Sequence, residues 1–452
     1  MKQALIIIVI FFVFINKNVF SFDSVKYNYD DAVKQLQDSN YSEALKMFNQ
    51  LIEDDKINRI LYFQRGNAFF GLKKYANAIP DFEVAERLDY HHSDLYFKLA
   101  YCFLQTKEKD AAIKNLDETI DLDPEYFDAY MLLADIYYEN KDTANAVKNY
   151  FAAYKLKPEN TKLLIKLGMI KNAQNDFNGA IKYFIEAYKT DSASAEINHL
   201  LSISYSGIND TGNAVYFSLN SVVRDPLNSI YVYTLANVYR TFGFYDKALE
   251  YFNKLMNMYD IKVPPSLIYQ KRGITNLKTG NFDDAVNDFF NAILLNPSDT
   301  LSLLNRGIVY YQQAKDTLSL KDLNSALSID SMNIEAMIYR GSLHLRNNRY
   351  DPAFADLSKA IKMKPADPSL QFIMGNYFMA NEKFSDAIKY YNKALDLDPN
   401  FKIVLENRGI CYYNLGFFRQ AAFDFDNAMK YDPKLTDKLK PLYLDAKVKA
   451  GI

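Results

Sequence analysis

Apolar and small residues recur along the chain at the spacing of α-helices. Four segments share one order of residue types: residues 75–85, 177–187, 384–394 and 418–428. An aromatic residue is followed by Ala three residues later, by a second aromatic residue four residues after that, and by a second Ala three residues further on. Because residues three and four positions apart lie on one face of a helix, this order predicts amphipathic helices.

These helices belong to a unit of 34 residues that repeats twelve times. The repeats start at residues 25, 59, 93, 127, 161, 195, 229, 266, 300, 334, 368 and 402. Every step is 34 residues long except the step from 229 to 266, which is 37 residues long. A fixed period of this length is typical of stacked helical repeats, because one helix pair alone cannot bury its apolar face.

Small residues occupy two positions of every repeat. Position 20 is Ala in eleven repeats and Ser319 in the ninth, and position 32 is Pro in seven repeats. Small side chains let two helix backbones approach closely where they cross, and a Pro ends the second helix. Position 8 holds only Ala, Gly or Ser: Ala32, Gly66, Ala100, Ala134, Gly168, Ser202, Ala236, Gly273, Gly307, Gly341, Gly375 and Gly409.

This pattern resembles the tetratricopeptide repeat family over residues 25–434. The resemblance implies an all-α fold, in which about twelve helix-turn-helix repeats form an α-solenoid wound as a right-handed superhelix. It also implies that the first helix of each repeat lines an inner groove. We therefore expect repeats one to seven over residues 25–260 and repeats eight to twelve over residues 266–434.

Two further segments interrupt or end the repeats. Residues 260–265 (DIKVPP) add three residues and two prolines between the seventh and eighth repeats. We interpret residues 261–265 as a stiff Pro-containing joint, with a harmless loop insertion as the alternative. Residues 435–452 carry apolar residues at helical spacing among lysines, which predicts a C-terminal capping helix with its apolar side inward.

A charged pair recurs in five repeats. Position 7 is Arg in the same five repeats in which position 23 is Asp, and no other repeat has either residue there. Because these positions face each other across the helix pair, we predict an internal, structural ion pair in each repeat. The predicted pairs are Arg65 with Asp81, Arg272 with Asp288, Arg306 with Asp322, Arg340 with Asp356, and Arg408 with Asp424.

The first 21 residues have the pattern of an export signal. Residues 4–15 form an unbroken apolar run after Lys2. A membrane-spanning helix needs about 20 apolar residues, whereas a shorter run is typical of a secretory signal peptide. We expect cleavage after Ser21, export to the periplasm, the cell surface or the medium, and no stable membrane span afterwards. An uncleaved membrane anchor is the alternative.

Composition and motifs argue against several classes of function. The formal net charge of −2 disfavours nucleic-acid binding, which needs a basic face. The common nucleotide-binding, metalloprotease and hydrolase motifs are absent, so we expect a protein that is not an enzyme and needs no cofactor. No Cys or second His lies at metal-ligand spacing from any of the four histidines, so we expect no metal site. Cys102 and Cys411 lie nine repeats apart, and we expect no disulfide between them.

Candidate binding residues follow from the resemblance, which implies that positions 2, 5, 9, 12 and 13 of the first helix face the groove. Three repeats combine an aromatic residue at position 5 with Asn at position 9: Phe63 with Asn67, Tyr233 with Asn237, and Phe372 with Asn376. The amide of Asn can donate one hydrogen bond to a peptide backbone and accept another. Further aromatic residues expected in the groove are Phe97, Tyr101, Tyr138, Tyr311 and Tyr413. The alternative is that these rings pack between neighbouring first helices.

The family's clamp for chaperone tails needs Lys at position 5 with Asn at position 9, and no repeat here has that pair. We therefore expect an exported, non-enzymatic scaffold that binds an extended peptide or protein partner in the groove. A substrate-presenting or regulatory subunit of an envelope enzyme or secretion complex is the alternative, and a homo-oligomer is a third possibility.

Overall fold

The computed structural model describes residues 27–452, and within this range the regular structure is helical, without a β-strand. The predicted signal peptide over residues 1–21 lies outside the described residues. In chain order the helices are α1 (Tyr29–Gln37), α2 (Tyr41–Asp54), α3 (Arg59–Gly71), α4 (Tyr75–Arg87), α5 (Ser93–Gln105), α6 (Lys109–Leu122), α7 (Phe127–Glu139), α8 (Thr143–Leu156), α9 (Thr161–Ala173), α10 (Phe177–Thr190), α11 (Ala195–Gly207), α12 (Thr211–Arg224), α13 (Ser229–Thr241), α14 (Tyr245–Met256), α15 (Pro265–Thr279), α16 (Phe282–Leu295), α17 (Thr300–Gln312), α18 (Asp316–Ile329), α19 (Ile334–Arg346), α20 (Tyr350–Met363), α21 (Pro368–Ala380), α22 (Phe384–Leu397), α23 (Lys402–Asn414), α24 (Phe418–Tyr431) and α25 (Thr436–Ala450).

Each repeat contributes one odd-numbered helix, called its A helix, and one even-numbered helix, called its B helix. The predicted all-helical repeat fold is confirmed. The chain divides into two compact units: the N-terminal unit ends at Ser192, and the C-terminal unit runs from Ala193 to Ile452. The N-terminal unit thus contains the first five repeats, and the C-terminal unit contains the other seven and α25.

The A and B helices of a repeat meet at the small residue of position 8. A Cβ atom added to Gly375 would lie 2.4 Å from Cε1 of Tyr391, which is fully buried on the partner helix. At Gly66 the same construction places the Cβ atom 2.6 Å from Cε1 of Phe82. The glycines at this position therefore let a large ring at position 24 pack directly on the backbone of the A helix.

The turn between the A and B helices has a left-handed residue at the same position in all twelve repeats. Its residue at position 15 has a positive φ, which ends the A helix with a left-handed residue. Only Gly243, Gly280 and Gly416 supply the residue type that takes this conformation without strain. The other nine residues are Ser39, Lys73, Lys107, Lys141, Asn175, Asn209, Ala314, Asn348 and Glu382.

The longer connection between the seventh and eighth repeats packs against helices of the seventh repeat. Val263 is buried in the core that α13 and α14 share, and the backbone N–H of Lys262 donates to Oγ of Ser229 at 2.9 Å. Pro264 caps α15 and Pro265 is its first residue, where a missing N–H costs the helix nothing. The inserted residues are therefore ordered by tertiary contacts as well as by their prolines.

The C-terminal helix α25 covers the last repeat. Leu439 and Ala446 are fully buried against α24, and Pro441 lies inside the helix. Lys438 of α25 forms an ion pair with Glu406 of α23. An apolar inner side and charged residues at its edges make α25 the cap of the C-terminal unit.

Both cysteines are buried and free. Cys102 lies in the N-terminal unit and Cys411 in the C-terminal unit. Burial raises the pKa of each thiol to about 12, so neither thiol ionises readily near neutral pH.

Candidate functional site

The first candidate pair, Phe63 and Asn67, is tied into neighbouring residues of the N-terminal unit. Phe63 is only 6% exposed, and its ring lies 4.7 Å from the ring of Tyr90, which precedes the next A helix. Asn67 accepts a hydrogen bond from Nζ of Lys98 at 2.9 Å. Phe63 therefore presents almost no surface to a ligand, and Asn67 would have to exchange an existing bond to contact one.

The other N-terminal candidates differ in exposure. The ring of Phe97 lies 4.9 Å from Tyr126, and that of Tyr101 lies 5.8 Å from Tyr75. Tyr138 is 38% exposed. Phe97 and Tyr101 pack against neighbouring rings, while Tyr138 has free surface.

The second candidate pair lies on α13 in the C-terminal unit. The half-buried ring of Tyr233 lies 6.3 Å from Phe252, and burial raises the pKa of its hydroxyl. Asn237 donates to the backbone carbonyl of Tyr233 at 3.0 Å and accepts from Nε of Arg240 at 3.3 Å. Tyr233, Asn237 and Arg240 therefore lie together on one side of α13, at one-turn spacing.

The third candidate pair, Phe372 and Asn376 on α21, contacts residues of α22 and α23. The ring of Phe372 lies 5.3 Å from Phe401, which precedes α23. Oδ1 of Asn376 accepts from the hydroxyl of Tyr391 at 2.7 Å and from Nδ2 of Asn407 at 2.8 Å. Asn376 thus joins its own B helix to the A helix of the next repeat.

The remaining two candidates contact charged residues. The guanidinium of Arg346 stacks on the ring of Tyr311 at 4.2 Å. The hydroxyl of Tyr413 donates to Asp445 of α25 and accepts from Nζ of Lys449 at 2.5 Å. The hydroxyl of Tyr413 therefore forms both of these hydrogen bonds with residues of the capping helix.

A polar contact between successive A helices, which was not predicted from the sequence, recurs in both units. Position 6 of one A helix reaches position 9 of the A helix before it. The signal was available in the sequence as a polar residue at position 9 followed by a polar residue at position 6 of the next repeat. The contacts are Lys98 to Asn67 (2.9 Å), Lys166 to Asp135 (3.0 Å) and Asn407 to Asn376 (2.8 Å).

Another residue at position 5, His199 of α11, has an unusual environment. Its ring lies 4.9 Å from the ring of Tyr231, and its buried Nδ1 has no hydrogen-bond partner among residues 27–452. Burial lowers the pKa of this imidazole to about 4, so it is neutral at physiological pH.

The structure places each position-7 Arg against the Asp of position 23 in its own repeat. These contacts join the A helix to the B helix, and the Asp side chains are almost fully buried. The nitrogen–oxygen distances are 2.6 Å for Arg65 and Asp81, 2.5 Å for Arg272 and Asp288, 2.7 Å for Arg306 and Asp322, 2.7 Å for Arg340 and Asp356, and 2.8 Å for Arg408 and Asp424.

Four of these arginines also reach back to the preceding repeat. Their NH1 atom donates to an Asn at position 25 of that repeat. Asn occurs at this position only in these four preceding repeats, so the contact could have been predicted from the sequence. Arg306 differs, because the equivalent residue before it is Phe290. The contacts are Arg65 to Asn49 (2.9 Å), Arg272 to Asn253 (2.9 Å), Arg340 to Asn324 (2.7 Å) and Arg408 to Asn392 (2.7 Å).

Within residues 27–452, no three His, Cys, Asp or Glu side chains are grouped so that they could hold a metal ion. In the same range, no helix combines the length and the apolar character that crossing a bilayer requires.

Family models match two parts of the chain. One model described as the tetratricopeptide repeat matches residues 29–89, 63–114 and 108–161, and a second model with the same description matches residues 370–401. A search of the curated proteins finds no match.

Solved structures with similar folds are distant in sequence. The Cut9–Hcn1 hetero-tetramer of APC/C is 14% identical, with a TM-score of 0.46, and the match covers 92% of this chain and 95% of that one. A tetratricopeptide repeat protein from Parabacteroides merdae is 19% identical over 55% of this chain and 98% of that one, with a TM-score of 0.45. YrrB, described as having an unusual peptide-binding site, is 20% identical over 41% of this chain and 94% of that one, with a TM-score of 0.34.

Neighbours at this distance identify neither a partner nor an activity for this chain. The helix pairs, the small residues at their crossings and the matches to the repeat models agree with one another. Residues 29–161 and 370–401 of the chain match models of the tetratricopeptide repeat.

Proposed function

We propose that the chain is a non-enzymatic scaffold that binds an extended peptide or protein segment along its A helices. The observation that carries the proposal is the repeated placement of half-buried amide, aromatic and charged side chains on successive A helices. Asn67, Asn237 and Asn376 recur at position 9, and each amide group can exchange its present bonds for bonds to a peptide backbone. Exposed Tyr138 adds a rigid aromatic contact.

The proposal is tested by photo-crosslinking in the native cell. A photoreactive phenylalanine analogue replaces Tyr138 in the N-terminal unit or Tyr233 in the C-terminal unit. The control sites are Tyr216 and Phe423, which are 55% and 67% exposed on B helices. We expect the A-helix sites to capture the same discrete polypeptide and the B-helix sites to capture none. Equal capture from both sets of sites would contradict the proposal.

We further propose that the protein is exported, because residues 1–21 have the charge and apolar pattern of a secretory signal. Cell fractionation followed by mass spectrometry of the N-terminus tests this. Cleavage after Ser21 predicts a mature chain that begins at Phe22, recovered from the periplasm, the cell surface or the medium. Recovery of the intact chain from the cytoplasm would contradict it.

A second candidate function is that of a substrate-presenting or regulatory subunit of an envelope enzyme or secretion complex. It shares the binding surface with the scaffold and differs in the captured partner. An enzyme or a secretion component attached at Tyr138 or Tyr233 would favour this second function. Sedimentation of the purified protein separately tests whether the chain forms a homo-oligomer.

A further inference from the structure

Four exposed lysines lie on two neighbouring B helices of the N-terminal unit. The two helices are neighbours, because the ring of Tyr154 on α8 lies 6.0 Å from the ring of Tyr183 on α10. The fourth and fifth repeats are the only two that have Lys at both position 22 and position 29. We call these side chains the lysine patch: Lys148 and Lys155 on α8, and Lys182 and Lys189 on α10.

The lysines of the patch lack the acidic partners that lysines at these positions have in other repeats. Elsewhere the partner lies at position 19 or 25 of the same helix: Lys46 pairs with Glu43 at 2.8 Å, Lys389 with Asp386 at 2.9 Å, and Lys430 with Asp426 at 2.6 Å. In the patch, these two positions hold Asn145, Phe151, Gly179 and Ile185. Within residues 27–452, none of the four patch lysines forms an ion pair.

One acid lies on the patch and another limits its extent. Glu186 lies one turn from both Lys182 and Lys189 on α10, but it forms an ion pair with neither of them. Its Oε2 accepts from the hydroxyl of Tyr154 at 3.5 Å instead. On α6, the preceding B helix, position 29 is the exposed Asp121. The patch therefore presents four cations and one anion, and it is confined to the fourth and fifth repeats.

An exposed aromatic ring lies among the lysines. Phe151 is 38% exposed, three residues after Lys148 and four residues before Lys155, so the three side chains share one side of α8. The ring gains free energy when it leaves water, while the ammonium groups need anions. The interface of an anionic bilayer offers both, because its headgroups attract lysines and its apolar boundary accepts an aromatic ring beneath them.

We propose that the lysine patch docks the protein on a membrane surface that contains anionic phospholipids, with the ring of Phe151 inserted between the headgroups. Lys148 and Lys155 lie two turns apart, about 10 Å along α8, and α10 repeats this pair beside it. The positive charges thus extend in two directions. A bilayer surface can contact all four lysines at once, whereas an extended acidic peptide presents its charges along one line. The inference goes beyond the proposed function, because the patch lies on B helices.

A single tryptophan tests the inference, since the natural chain contains none. Full-length protein with Phe151→Trp is titrated with vesicles of equal parts phosphatidylglycerol and phosphatidylcholine, and with vesicles of phosphatidylcholine alone. We expect the Trp emission to shift to shorter wavelength, and to be quenched by brominated acyl chains, only with the anionic vesicles. Concentrated salt should reverse both changes, because it screens the exposed charges.

The matched control is Phe290→Trp on α16. Phe290 also occupies position 25 and is 52% exposed, but positions 22 and 29 of its repeat are Asn287 and Leu294. We expect its emission to stay unchanged with both kinds of vesicle. Because residues 1–21 are the same in both proteins, an attachment through them cannot produce the difference.

Replacing all four patch lysines by Gln in the Phe151→Trp protein tests their contribution. Each lysine near an anionic bilayer contributes a factor of about five to the affinity, so we expect the affinity for anionic vesicles to decrease by about a hundredfold or more. Thermal unfolding shows that the variant is folded, as expected for substitutions of exposed side chains.

Several results would overturn the inference. These are an unchanged emission of Phe151→Trp with anionic vesicles, an equal change with neutral vesicles or at Phe290→Trp, and a change that persists without the four lysines. Tighter binding of poly-glutamate than of anionic vesicles, at equal concentrations of negative charge, would assign the patch to an acidic polypeptide instead. None of these results depends on crosslinking at Tyr138 or Tyr233, so the membrane-docking inference and the scaffold proposal fail separately.

Discussion

Arg408 donates a hydrogen bond from its NH1 atom to Oδ1 of Asn392 at 2.7 Å, although the two residues belong to different repeats. Its Nε and NH2 atoms bind Asp424 within its own repeat at 2.8 Å. One guanidinium thus fixes the A helix against its own B helix and against the B helix of the preceding repeat. The same arrangement recurs at Arg65, Arg272 and Arg340.

Removing one partner of a buried pair should cost more than removing both. Arg306→Met leaves the carboxylate of Asp322 buried and unpaired, and we expect it to lower the free energy of unfolding by about 3–5 kcal/mol. The double variant Arg306→Met, Asp322→Leu should recover much of this loss, because no buried charge remains. Denaturant unfolding of both single variants and the double variant measures the coupling. Simple additivity of the two single effects would contradict the account.

The hydrogen bond between an Arg and the Asn of the preceding repeat can be introduced at Arg306, where the sequence has Phe290 instead of Asn. Phe290 is 52% exposed at the position that holds Asn before the other four arginines. Phe290→Asn should give NH1 of Arg306 a partner and raise the free energy of unfolding by about 0.5–1 kcal/mol. Asn392→Ala, measured by the same denaturant unfolding, should lower it by a similar amount. A stabilisation that persists when Phe290→Asn is combined with Arg306→Met would show that the new amide acts elsewhere.

The crossing at position 8 should tolerate a methyl group only where the facing side chain can move. Gly375→Ala places a Cβ atom against the fully buried ring of Tyr391, so we expect a loss of about 1–3 kcal/mol. Gly341→Ala is the matched control, since its Cβ atom meets Leu357 at 3.0 Å and a leucine can change rotamer. Thermal unfolding should place Gly375→Ala clearly below Gly341→Ala. Equal melting temperatures would show that the ring of Tyr391 shifts freely.

Acidification should lower the free energy of unfolding, because burial of His199 opposes its protonation in the folded protein. Its pKa of about 4 in the folded state is below the unfolded value near 6.5, so the unfolded chain binds the extra proton between these values. The contribution of His199 to the free energy of unfolding is fully present above pH 6.5 and is lost as the pH decreases toward 4. We expect a loss of about 2 kcal/mol between pH 7 and pH 4.5. His199→Phe should remove that part of the pH dependence. Urea unfolding at both pH values measures the difference.

Periodicity along the sequence was enough to predict the helices and their pairing, because packing at positions 8, 20 and 24 constrains residue size in every repeat. The left-handed turn residue was not predictable in the same way. Residues such as Lys107 and Glu382 take a positive φ there because the helices on both sides determine the turn, whatever its residue type. For the candidate binding residues, the sequence predicted the position in the repeat but not the exposure of the side chain. Position 5 is almost fully buried as Phe63 and half-buried as Tyr233, since exposure depends on which residues pack against it.

The most direct test of the account is side-chain footprinting of the protein with and without its crosslinked partner. Hydroxyl-radical oxidation reports the accessibility of individual aromatic residues. The account predicts that the partner protects the A-helix residues Tyr138 and Tyr233 and leaves the B-helix residues Tyr216 and Phe423 as reactive as in the free protein. Protection of Tyr216 and Phe423, with Tyr138 and Tyr233 unchanged, would place the binding surface on the B helices and contradict the account.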